Sequence, residues 1–227
     1  MSLRKIATAA LLAIASVAQP GRAAETETVS FSAVCFSPNV AKEPTFFVPS
    51  GGSREKISIP NTSLGGPFKG SVREGGLMDF FTSETDKAPA LSVKLPSGSR
   101  EGLLLVFVPA GNETYQARAV ILPANGFSGG TTFAINVAPM DIAIRHGSNP
   151  MQTIKPGAHD LLTLPAGHRD PMLPVQIFTR GSTGTWEVAQ STRWAVDRRF
   201  RSYLFLYKSP ENGNLAIHAI PERLAGE

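Results

Sequence analysis

Val34-Cys35-Phe36-Ser37-Pro38 and Ile135-Asn136-Val137-Ala138-Pro139 stand 101 residues apart, each a short apolar segment halted by a proline. The same spacing brings Leu103-Leu104-Leu105 onto Leu204-Phe205-Leu206 and Pro109 onto Pro210. Between these anchors Phe80-Phe81-Thr82 faces Ile177-Phe178-Thr179 at an offset of 97, which one short insertion accommodates. The recurrence reads as an internal duplication.

Outward from these anchors, apolar runs bounded by Gly, Pro, Asn and Ser recur along the chain, which is the signal of strands rather than of helices. Strands are predicted near 29–36, 45–48, 56–59, 68–72, 77–82, 90–95, 102–108 and 115–121, and again near 132–138, 141–145, 152–154, 160–164, 174–179, 185–191, 202–208 and 215–220. With 21 Gly and 18 Pro spread through 227 residues, a helical bundle is excluded, because each such residue in a helix interior is costly. Each half therefore has the size and strand spacing of an immunoglobulin-like β-sandwich, with domains expected at 25–122 and 131–222. The Gly-rich join over 122–130 is short enough for the domains to touch, with Phe127 expected in their interface.

Residues 1–23 read as a secretory signal: Arg4 and Lys5, an apolar run from Ile6 to Ala18, and small residues around a cleavage site after Ala23, with Ala18 and Ala24 as alternative sites. The apolar run is too short to span a bilayer, and no later stretch approaches that length. The chain carries 22 Lys and Arg against 18 Asp and Glu, a formal charge of +4. Three of those cations, Arg4, Lys5 and Arg22, precede the mature chain, which keeps only +1 and lacks the bulk excess that nucleic-acid binding requires. Cys35 is the one cysteine, so no intrachain disulfide forms, and its place between Val34 and Phe36 is that of a small core residue. A disulfide-free exported chain points to a bacterial periplasmic or secreted protein.

A signal followed by two repeats, joined through Phe127-Ser128-Gly129-Gly130 into the strand Asn136-Val137-Ala138-Pro139, resembles secreted bacterial β-sandwich proteins to which no activity is assigned. That resemblance implies the two-sandwich fold and brings no catalytic residues with it.

Two windows carry candidate chemistry. Met140, His146, Met151, His159, His168 and Met172 fall within 33 residues and include soft and imidazole ligands suited to copper or zinc. No two of them are closer than four positions, so the favoured reading is that they face water from polar loops and hold no metal. The second window, 186–201, holds both tryptophans and Arg193, Arg198, Arg199 and Arg201 against Glu187 and Asp197. A partly exposed tryptophan beside arginine forks suits an anionic partner, and Trp194, Arg198, Arg199 and Arg201 are the candidate binding residues. Against this stands a structural reading, in which Trp186 is a core residue and the arginines protect a sheet edge.

There is no Gly-x-Ser-x-Gly elbow, Walker loop or His-Glu-x-x-His helix. The sequence is thus read as an exported, non-enzymatic binding or structural module of the cell envelope without a cofactor. Its expected partner is an envelope or extracellular protein or an anionic glycan. The alternatives are a periplasmic copper or zinc carrier and a glycan-acting enzyme.

Overall fold

In the computed structural model residues 27–36, 43–98, 101–111, 114–209 and 212–224 are described, so the leader and the prolines Pro38 and Pro210 lie outside the described residues. Each apolar run is broken by glycine, proline or a polar turn before it reaches the roughly dozen residues that give a helix stability. Only strands form among the described residues: β1 (Glu27–Cys35), β2 (Thr45–Ser50), β3 (Ser53–Ser58), β4 (Gly65–Arg73), β5 (Leu77–Phe80), β6 (Leu91–Lys94), β7 (Leu103–Gly111) and β8 (Thr114–Ile121). The second half continues with β9 (Thr132–Asn136), β10 (Ile142–His146), β11 (Gln152–Ile154), β12 (His159–Leu162), β13 (Met172–Arg180), β14 (Trp186–Ala195), β15 (Phe200–Lys208) and β16 (Leu215–Arg223). The described residues are all-β, as the periodicity implies, and no helix among them is long and apolar enough to cross a membrane.

The first half forms a six-stranded sheet, β6-β5-β4-β1-β7-β8, whose segment β4-β1-β7-β8 is matched by the four-stranded β12-β9-β15-β16 in the second, where no described strand extends it. In both, the first and seventh strands of the half run parallel, Ala33 beside Leu105 and Ala134 beside Leu204. By ladder position β7 and β15 therefore stand 99 residues apart, while β1 and β9 stand 101 apart. The sequence alignment of 103–105 with 204–206 is out by two residues, and a shift of two leaves each side chain on its own face. The remaining strands of the second half form the sheet β11-β10-β13-β14. In the first half β2 pairs with β3 and β5 with β6, and a bridge between Phe47 and Phe81 connects the two hairpins.

Side-chain alternation along the central strands builds three cores. From β1 and β7, Phe31, Ala33, Cys35, Leu103, Leu105 and Phe107 enter the first core against Phe46, Ile57, Met78 and Val93. Their neighbours Val34, Leu104 and Val106 point the other way, into a middle core shared with Phe127, Phe133, Ile135, Tyr203 and Phe205. Beyond this, Ala134, Leu204 and Leu206 meet Ile142, Ile144, Leu173, Val175 and Ile177 in the third core. Strands buried on both faces must be apolar at every position, which explains the unbroken run 103–107. Phe36 crosses between the halves, stacked on Phe205 at 5.5 Å and edge-on to Tyr207 at 4.4 Å.

Buried polar groups are partnered where they fix loops. Asn136 donates from Nδ2 to the carbonyls of Met140 and Ile154 at 2.8 and 2.9 Å, and its Oδ1 accepts from Ala138 N–H. Without such partners, burying an amide is expensive. The join also contains a close approach that only glycine permits. A Cβ on Gly129 would lie 1.7 Å from the Arg198 carbonyl oxygen.

The middle core yields a stability prediction. Leu104→Ala removes a fully buried side chain between the two halves, and large-to-small changes of this type cost about 2–5 kcal/mol. Urea unfolding is expected to show that loss, and a change below about 1 kcal/mol would mean that the two halves do not share this core.

Candidate binding surface

The hairpin β13–β14 decides what the second half presents to solvent. Its turn is set by Gly184, with φ at +79°, and by the Arg180 Nη1 donor on the Gly184 carbonyl at 2.6 Å. Along the ladder Ile177 faces Gln190 whereas Phe178 faces Val188, so Ala189 is an extra residue, a bulge. A bulge shifts the alternation by one. On one side of it Trp194 joins the third core with its partner Leu173, so Arg193 points outward. On the other side Trp186 and Val188 point outward as well.

The outer face of this sheet consequently collects Met172, Phe178 and Arg180 from β13, Trp186, Val188 and Arg193 from β14, and Arg145 from β10. The Arg145 guanidinium lies 5.4 Å from the Phe178 ring centroid, and that of Arg180 lies 4.5 Å from Trp186. Each also gives one donor to the protein, Arg145 Nη1 to Gln176 Oε1 at 3.2 Å and Arg180 Nη1 to the Gly184 carbonyl, out of the five N–H donors that a guanidinium carries. Val188 is 54% exposed and Met172 is 37% exposed, two of the three large hydrophobic residues left open among those described. β10, β11 and β13 contain no Asp or Glu, and the single acid of β14, Glu187, lies on the opposite face with its carboxylate against Gly181. Asp141, just before β10, takes Lys155 at 2.6 Å and reaches Arg180 at 3.8 Å.

The residues singled out in the sequence are placed differently from one another. Trp194 does not lie beyond its strand: β13 pairs with β14 as far as Ala195, and the half-buried indole rests on the third core 5.7 Å from the His146 ring. Val188 faces solvent, so the alternation that would bury Trp186 is reversed by the bulge. Arg199 folds back onto Asp197 at 2.6 Å, and hydrogen bonds from Arg199 hold the Asp197 carboxyl down at about 2. Arg198 is exposed beside Gly130. Arg201 turns instead toward Glu222 at 2.7 and 3.1 Å and toward the Phe127 carbonyl at 3.2 Å, its guanidinium 4.6 Å from the Phe127 ring. The charge concentrated in the sequence is thus spread over separate contacts. Arg145 and Phe178 escaped the sequence reading because they are distant in the chain from the tryptophans and become neighbours only across the sheet.

Arg201 also borders a cleft of about 680 Å3 between the halves, with Glu101, Ile121, Phe133, His159 and Asp160 around it. Burial holds His159 below its ordinary value against the pull of Asp160. Asp160 accepts from Gln152 Nε2 and from Leu161 N–H. Glu101 and Asp160 both line this cleft, which is where a glycan-acting enzyme would hold its paired carboxylates.

The metal-window residues do not converge. His146 is buried and bonded through Nδ1 to the Thr163 carbonyl at 3.0 Å, with desolvation lowering its pKa. His168 lies near enough to His146 to oppose its protonation. His159 faces the cleft, Met172 lies on the outer sheet face, and Met151 precedes β11. Among the described residues no three His, Cys, Asp or Glu side chains are grouped to hold a metal. Cys35 is buried, and desolvation raises its thiol to about 12.

A pH effect follows from the contact between Arg201 and Glu222. Burial pushes the Glu222 carboxyl up, but hydrogen bonds from Arg201 and Tyr203 and the Arg201 charge outweigh it, leaving it below its ordinary value. A depressed carboxyl stabilises the fold above its unfolded pKa, and this contribution disappears as pH falls through the folded pKa. Between neutrality and about pH 3, Glu222→Gln is expected to lose less thermal stability than the parent chain. Parallel losses would show that the contact contributes nothing.

No family model matches this chain, and neither does any curated protein.

Proposed function

We propose that this chain is an exported, non-enzymatic binding module of a bacterial cell envelope, and that it holds an anionic partner on the arginine–aromatic face of its second half. In this reading residues 25–122 and 131–222 are two copies of one immunoglobulin-like β-sandwich. The recurring strand order β4-β1-β7-β8 and β12-β9-β15-β16, with the same parallel pair in each, supports the copying. Export rests on the leader read from residues 1–23.

The observation that carries the binding function is the gathering of Arg145, Arg180 and Arg193 on a sheet face whose strands direct no carboxylate outward. Two of these guanidiniums lie over aromatic rings. Arg73, by contrast, is held by Asp79, Arg199 by Asp197 and Arg201 by Glu222. Arg145 and Arg193 make no ion pair among the described residues and Arg180 shares Asp141 with Lys155, so cations outnumber acids on this face. The resulting positive field attracts anions, and the exposed Val188 and half-buried Trp186 add apolar contact at its centre. Such a face acts by charge and stacking and requires no cofactor.

Titration with poly-glutamate and with polygalacturonate, with neutral dextran as the control, tests this reading. Both polyanions are expected to bind and to weaken as salt rises, and an Arg145→Ala, Arg193→Ala double variant with unchanged melting temperature is expected to lose at least about tenfold in affinity. Equal binding by this variant would reject the face as the site.

A further inference from the structure

We propose that β14 is an acceptor edge to which the anionic partner adds as an extended strand, making that partner an acidic polypeptide segment. This rests on the arginine–aromatic face being the binding face, and it names the partner's class. β14 has ten residues and, among the described residues, a single ladder neighbour, β13. No proline interrupts it, so each of its peptide units retains a donor.

The direction of those donors follows from bonds at the two ends of the hairpin. Val196 N–H donates to the Pro171 carbonyl at 2.7 Å, which turns the peptide groups of Val196, Trp194 and Thr192 toward β13. At the other end the Thr185 carbonyl accepts from Gly181 N–H at 2.9 Å, which turns Thr185 and Glu187 toward β13. Peptide groups alternate along an antiparallel strand, and the bulge at Ala189 resets the alternation. Those of Trp186, Val188, Ser191, Arg193 and Ala195 therefore face away from β13, toward an empty ladder position.

The same residues carry their side chains on the outer face. An incoming strand hydrogen-bonded to Val188, Ser191 and Arg193 would set alternate side chains on that face, directly opposite theirs. Acidic side chains there meet Arg193 and the field of Arg145 and Arg180, and an apolar one meets the exposed Val188. Backbone pairing of this kind supplies affinity, while alternate side chains supply specificity. A polysaccharide could satisfy the arginines but could not complete the ladder. A second copy would bring a further arginine set to the same edge.

The probe is a synthetic peptide of alternating Glu and Val, used with the full mature chain. It is compared with the same peptide N-methylated at alternate residues, which keeps charge and side chains but removes the pairing donors. The parent peptide is expected to bind at least about tenfold more tightly than its N-methylated form and to slow amide exchange at Val188, Ser191 and Arg193. Ser191→Pro, which removes an outward donor at an exposed position, is expected to abolish this difference while leaving polygalacturonate binding intact. Equal affinity of the two peptides, or no added protection along β14, overturns strand addition. Loss through Arg145→Ala and Arg193→Ala alone would leave the face as the site with another anion as its ligand. A dimer that Ser191→Pro converts to a monomer would identify a second copy as the occupant and likewise overturn the proposal.

Discussion

Burial of the central strands on both faces is the constraint on which the rest of the structure depends. Because β1, β7, β9 and β15 are each flanked by two cores, the halves cannot separate without exposing Val34, Phe36, Leu104, Val106, Phe133, Tyr203 and Phe205 together. Burial of each large apolar side chain contributes about 1.5–3 kcal/mol, so the middle core outweighs any single polar contact between the halves. The join reinforces this arrangement: Phe127 enters the middle core, and Gly129 lets the backbone pass close to Arg198.

Polar groups fix loops around these cores. Arg54 donates to the Ser83, Glu84 and Asp86 carbonyls at 3.2, 2.6 and 2.8 Å while lying 3.5 Å from the Phe81 ring centroid, and so holds the segment after β5 in place. Arg201, Tyr203 and Glu222 do the same for the join, with Tyr203 Oη donating to Glu222 at 2.8 Å. Arginines bound in this way have little capacity left for a ligand. On the β10–β13–β14 face Arg145 and Arg180 also lie over rings but each makes only one side-chain hydrogen bond, to Gln176 and to the Gly184 carbonyl, and Arg193 has no ion pair among the described residues.

A single inserted residue governs that face. Without the bulge at Ala189, strict alternation from Trp194 would place Val188 and Trp186 on the inner side of the sheet, against the third core. With it, both turn to solvent beside Phe178, and the donors of the free edge are carried by the residues that line the face. Bulges commonly mark places where a sheet redirects side chains for binding.

The sequence by itself determined the all-β class, the positions of the strands and the inert setting of Cys35, because period, breakers and local apolar content are properties of neighbouring residues. Its apolar runs also marked the strands that became central, although the second anchor pair was aligned two residues out. The candidate binding face was another matter. Trp194 and the arginines near it formed the densest chemical signal in the chain, yet Arg199 and Arg201 are held by Asp197 and Glu222, the latter on a different strand. Arg145 met Phe178, and Arg180 met Trp186, through cross-strand register and hairpin geometry. Register follows from the pairing of whole strands and the bulge from a two-against-one match between β13 and β14, so only the tertiary structure could decide which arginines share one face.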